Sequence, residues 1–197
     1  MFTGVDKIAD RIRLGYFTAL VLILVSFFMT FYTTERLLNQ AVKVNHTNKV
    51  ISHLSDLLYN IKEGEGSFRG FVITNDKSYL LPNTIAQKNT FVLFDTIRSL
   101  TSDNTKQQLR LDTLKSLIDK KFAIINAGIH VYENSHVQNS DSILQTIIDG
   151  NKIMEEIKVQ EINLQAEENN LMNVRKDKFN SISNVVTIIN IISLALV

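Results

Sequence analysis

The sequence predicts an all-α protein, an elongated antiparallel four-helix bundle set between two transmembrane helices. Three observations predict it. Apolar residues recur at gaps of three, four and their multiples over long stretches, a spacing that keeps one face of a helix buried. Two-residue alternation with β-branched enrichment is sustained nowhere, so no strand pattern competes. An uncharged apolar run lies near each end of the chain. The single proline and seven glycines leave long helices little to interrupt them.

The amino end reads as a membrane anchor. Lys7, Arg11 and Arg13 precede an uncharged run from Leu14 to Thr34. At about 1.5 Å per residue, roughly 20 residues cross the hydrocarbon. Tyr16 and Tyr32 stand near its two ends, where aromatic belts form. A cleaved signal peptide would have a shorter apolar region ending in small residues. Here Phe31–Tyr32 leads straight into Glu35–Arg36–Leu37–Leu38 and a helical stripe. The expected order is a cytoplasmic segment 1–13, a first span 14–34, an extracytoplasmic domain 35–181 and a second span 182–197. The last run, from Ile182 to Val197, is about 24 Å long as a helix, short of the roughly 30 Å core. The chain is therefore expected to be a fragment followed by a cytoplasmic part.

Between the anchors, four helices are expected. The first runs on from the membrane to about Thr74, with Leu37, Ala41, Val44, Ile51, Leu54, Leu58, Ile61, Phe68 and Val72 on its buried face. Asn75–Asp76 supplies turn chemistry. Pro82 suits the first position of the second helix, whose apolar set is Ile85, Phe91 or Val92, Phe94, Ile97 and Leu100. Thr101–Ser102–Asp103–Asn104 is a polar break with cap residues. The third helix takes Leu111, Leu114, Ile118, Lys121, Ile125, Gly128 and Tyr132, and Glu133 to Asp141 reads as a loop. The fourth takes Leu144, Ile147, Met154, Ile157, Glu161, Leu164, Glu168 and Leu171 and flows into the second anchor.

The most unusual local feature is a charged pair on the first stripe. Glu65 falls between Ile61 and Phe68, and Arg69 follows one turn later, the favourable order for an i,i+4 pair. Two readings stand. The pair forms a buried or dimer-facing polar cluster, with Tyr79 as a candidate member, or Arg69 caps carbonyls at the helix end.

Other groupings carry no chemistry. His46 and His53 are seven apart, whereas a helical metal pair wants i,i+4. His130 and His136 have no partner pattern. Glu155–Glu156, Glu161 and Glu167–Glu168 read as a solvated acidic face. Arg175, Lys176 and Lys178 lie beside the second anchor, within reach of lipid phosphates. Asn45–His46–Thr47 fits a glycosylation sequon, meaningless in a bacterial source. A net charge of +1 gives no field for nucleic acid, and the absence of cysteine removes disulfides, thiol nucleophiles and thiolate metal sites. No phosphate-binding glycine loop, nucleophile–base set or carboxylate pair in a cleft pattern is found, so catalytic residues, metal and cofactors are all expected to be none.

Glu65, then Arg69–Gly70–Phe71, two apolar residues, Thr74, Asp76 and Tyr79–Leu80 together resemble the signature of the CHASE family of bacterial extracytoplasmic sensor domains, third class. The usual glycine after the threonine is Asn75, which also visits the left-handed conformation of a tight turn. The resemblance covers a short part of the chain. It implies the sensory input region of a membrane-anchored bacterial receptor, with a histidine kinase the commonest output beyond Val197 and a diguanylate cyclase another. Alternatives are the ligand domain of a chemotaxis receptor and, from another class, a structural coiled-coil membrane protein. Expected partners are a second copy in a homodimer, the lipid bilayer and a cytoplasmic signalling module; the ligand is not identified.

Overall fold

The computed structural model describes residues 3–135 and 141–196, and among them the regular structure is helical throughout. Four helices follow one another: α1 (Thr3–Thr74), α2 (Leu80–Leu100), α3 (Thr105–Ser135) and α4 (Asp141–Leu196), with a 3₁₀ turn at Lys77–Tyr79 before α2. The expected loop from Glu133 begins later, since α3 continues to Ser135; residues 136–140, His136 and Asn139 among them, lie outside the described residues. The chain divides into two compact units, His46–Leu171 and Met1–Asn45 with Met172–Val197. Helices α1 and α4 each contribute residues to both.

His46–Leu171 is the antiparallel four-helix bundle. Asn83 on α2 donates to the Gly64 carbonyl of α1, and Gln165 on α4 donates to Ser55 of α1, while Arg69, further along α1, meets Asn151, earlier on α4. Arg98 of α2 pairs with Asp112 of α3 at 2.7 Å. Between α3 and α4, Arg110 donates to the Asn163 carbonyl and Lys121 to that of Gly150. The core runs along the axis from Val50, Leu54, Leu57 and Ile61 of α1, through Phe94 and Ile97 of α2 and Leu111, Leu114, Ile118 and Ile125 of α3, to Ile157 and Leu164 of α4. Phe71 and Tyr132 meet edge to face, with centroids 5.1 Å apart, a contact worth about 0.5–1.5 kcal/mol beyond burial.

Several expected positions turn differently. On α2, Phe94 and Ile97 are buried as expected and Phe91, rather than Val92, packs against the core with Leu100, but Ile85 is exposed and Asn83, Ala86 and Thr90 are buried. Those three are small or satisfied in place: Thr90 returns its hydroxyl to the Ala86 carbonyl, and Asn83 donates to that of Gly64. That permits closer approach to α1 than bulky side chains would. On α4, Ile143 rather than Leu144 is buried, and Met172 is more buried than Leu171. Ala41 on α1 is exposed, while Val50 and Leu57 join the core. Pro82 is the third residue of α2, not the first, because the 3₁₀ turn starts the helix two residues earlier. Its missing N–H is still one that the first turn of a helix leaves unpaired.

In the second unit, α1 turns Ala19, Ser26, Thr30 and Thr33 toward partly buried positions, and α4 turns Ile182, Ser183, Val186 and Ile189 likewise. The Thr30 hydroxyl donates to Asn190 Oδ1 at 3.2 Å, and Arg175 donates to the Lys43 carbonyl at 3.0 Å. The Arg175 guanidinium thus reaches a backbone carbonyl across the helix pair.

Candidate functional site

The signature residues fall into two neighbouring groups within the bundle. The first is the turn after α1. Asn75 has φ of 56°, the left-handed conformation its position demanded. Its N–H donates to the Phe71 carbonyl at 2.8 Å, closing the end of α1. Thr74 Oγ1 donates to the Gly70 carbonyl and accepts from the Asp76 N–H. Asp76 Oδ1 accepts from the Ser78 N–H at 2.8 Å and so caps the 3₁₀ turn. That hydrogen bond holds the Asp76 carboxyl below its ordinary value, against a small opposing burial effect.

Gly70 explains itself by its neighbour. A Cβ there would lie 2.6 Å from the Tyr79 ring, inside any real contact distance. Tyr79 therefore lies across Gly70, and no hydrogen bond joins it to Glu65 or Arg69 among the described residues. Leu80 packs against the core and Phe71 is fully within it.

The second group lies between about one and three turns before the end of α1. Glu65 links α1 to α3. Its Oε2 accepts from Lys121 of α3 at 2.9 Å and its Oε1 from Arg69 at 2.5 Å. Lys121 is 1% exposed, Glu65 14% and Arg69 43%. Lys121 also donates to the Gly150 carbonyl of α4 at 2.8 Å, and Arg69 to Asn151 Oδ1 at 2.6 Å. The network thus ties α1, α3 and α4 at one level. Burial pushes the Lys121 ammonium below its ordinary value; the bond to Glu65 and its charge oppose that, and Arg69 adds to it. Arg69 spends its donors on side chains, not on the carbonyls of the helix end. Beside it, Gly128 brings α3 against Phe68 and Thr146, where a Cβ would sit 2.6 and 2.8 Å away.

A shallow groove of about 290 Å³ opens over this network between α1 and α4, lined by Lys62, Glu65, Gly66, Arg69, Asn151 and Met154, with Glu155 and Lys158 paired at its rim. Charges of both signs face it. Its chemistry suits polar contact or register-fixing; it contains no nucleophile beside a base. Groups of three or more metal-ligating side chains are absent among the described residues.

Asn151 carries no sign in the sequence, which marks Gly150 only as a residue suited to close helix packing or a helix bend. Lys121 carried a signal: a lysine on an apolar stripe needs an anion, and of the acidic residues on facing stripes, Glu65, Glu161 and Glu168, the fold brings Glu65 to it. The acidic stretch of α4 needs correction. Glu155 and Glu156 are solvated, but Glu161 and Glu168 are buried on the inner face. Glu168 accepts from Gln107 at 2.9 Å. Burial pushes the Glu161 carboxyl above its ordinary value, against the opposing charge of Lys62 and the hydrogen bond from Gln165.

Comparison with known proteins agrees with this geometry. The family model of the CHASE3 domain matches residues 40–178. A search of curated proteins gives no match. Among solved structures, the sensor domain of histidine kinase HK9 from Rhodopseudomonas palustris is similar, with a TM-score of 0.58 and 25% identity; the alignment covers 64% of this chain and 97% of that one.

Proposed function

Since the chain belongs to the CHASE3 domain family, a family of sensor domains, we propose that it is the anchored extracytoplasmic input region of a receptor that passes its signal inward through α1 and α4. The observation that carries this reading is the make-up of α1. One helix holds both the network residues Glu65 and Arg69 and a run from the amino end that is apolar enough to cross a membrane. None of the residues in its most apolar window is buried. Phe17, Phe28 and Phe31 are each more than 60% exposed, a surface suited to lipid rather than water. The second span, 182–197, and the inner-membrane location belong to the same proposal.

The similar solved domain comes from a histidine kinase, which supports a kinase as the output module. On this reading the chain senses and does not catalyse. The receptor is a homodimer, and small sliding or rotation of one anchor helix against the other carries the signal. A stimulus acts only through unequal affinity for the two arrangements.

Single cysteines along Leu37 to Leu58 test this, because the natural chain has none. Crosslinking between copies in native membranes should recur every three or four residues. Its pattern should differ between variants locked on and locked off. Uniform or absent crosslinking rejects the dimer seam, and an unchanged pattern rejects the sliding.

A further inference from the structure

We propose that Asn190 is the contact through which a second copy of this chain docks along α4 within the membrane. The proposal rests on the reading of α1 and α4 as membrane spans. In the unit containing those segments, α1 meets α4 at Thr30, a small residue that allows close approach. Asn190 stands at the edge of that seam. Its Oδ1 accepts from Thr30 at 3.2 Å, but the residue is exposed, and its Nδ2 has no acceptor among the described residues.

The hydroxyls nearby differ in this respect. Thr33 and Thr187 return theirs to carbonyls of their own helices, at 2.7 and 3.0 Å. A threonine is thereby satisfied in hydrocarbon without a partner. A primary amide carries two N–H donors and cannot be satisfied by one bond to its oxygen. With no water to accept from it, an unpaired amide nitrogen is costly inside the bilayer. A second Asn190 removes that cost. The amide is both donor and acceptor, and a two-fold axis sets the same residue against itself. Thr187 lies one turn earlier on the same edge, so the two define the docking line.

The test uses the full chain in membranes. Thr187→Cys serves as reporter of copy-to-copy disulfide formation under mild oxidation, alone and combined with Asn190→Leu or Asn190→Gln. Asn190→Leu should lower the yield of crosslinked dimer by roughly three- to thirtyfold, the range measured for polar contacts between membrane helices. Asn190→Gln should retain most of it. Leucine favours insertion, so loss of yield is not loss of the span, and resistance to alkaline carbonate extraction confirms this in each sample. Equal yield with leucine overturns the proposal, and so does stronger crosslinking from Val185→Cys or Ile192→Cys on the opposite face. Release of the parent chain by carbonate instead overturns the membrane reading beneath it.

Discussion

Lys121 and Glu65 hold opposite charges in a core whose other members are mostly apolar, and each is expensive to bury alone. Removing one partner should therefore cost more than removing both. Lys121→Met alone is expected to destabilise residues 35–181 by about 3–5 kcal/mol, and the double variant with Glu65→Gln by clearly less than the sum. Denaturant melts of the two singles and the double decide it, and additive effects contradict the pair. Arg69 is less buried and its share smaller, so Arg69→Ala should cost under about 1 kcal/mol. Glu161 gives a pH signature. Its folded-state pKa is raised, so the folded state holds its proton more tightly than the unfolded one. This group's penalty is complete above the folded pKa and is relieved as pH falls through it. Glu161→Gln should therefore stabilise at neutral pH, with a gain that shrinks on acidification below the folded pKa. Melts from pH 7 to pH 4 would show a constant difference if the carboxyl were unperturbed.

The turn between α1 and α2 was legible because each of its residues has a conformational reason. Asn75 takes the left-handed position, Asp76 caps, and Thr74 closes the last turn on Gly70. Asn75→Ala is expected to cost about 1–2 kcal/mol and Asn75→Gly little or nothing. Gly70→Ala should cost about 1–3 kcal/mol through the clash with Tyr79, and Tyr79→Ala should recover part of it. Unfolding free energies of these variants test both, and failure of Tyr79→Ala to compensate contradicts the contact. The helices themselves were legible from periodicity, since α1, α3 and most of α4 bury bulky residues at helical spacing. The inner face of α2 was legible at Phe94 and Ile97 but not at Asn83, Ala86 and Thr90, because hydrophobicity ranks Ile85 above them. The packing of Asn83 and Ala86 beside Gly64 of α1 makes small residues the better choice there. The network was half legible for a similar reason. Glu65 and Arg69 are one turn apart in sequence, whereas Asn151 and the Gly150 carbonyl arrive from α4 by topology.

At the scale of the whole molecule, α1 and α4 run through both compact units, and the proposed function places one of those units in a membrane. The family match covers residues 40–178, so the run from Leu14 to Thr34 lies outside it and must be explained separately. The apolar side chains exposed on α1 there, from Phe17 to Phe31, are what the proposed membrane span accounts for. The basic residues before that run, Arg11 and Arg13, set the expected orientation. The most direct measurement is the labelling of single cysteines in intact cells with a membrane-impermeant maleimide. Asn104→Cys, in the connection between α2 and α3, should react before lysis, and Asp10→Cys only after it. Protection of Asn104→Cys until the cells are broken would contradict the extracytoplasmic sensor.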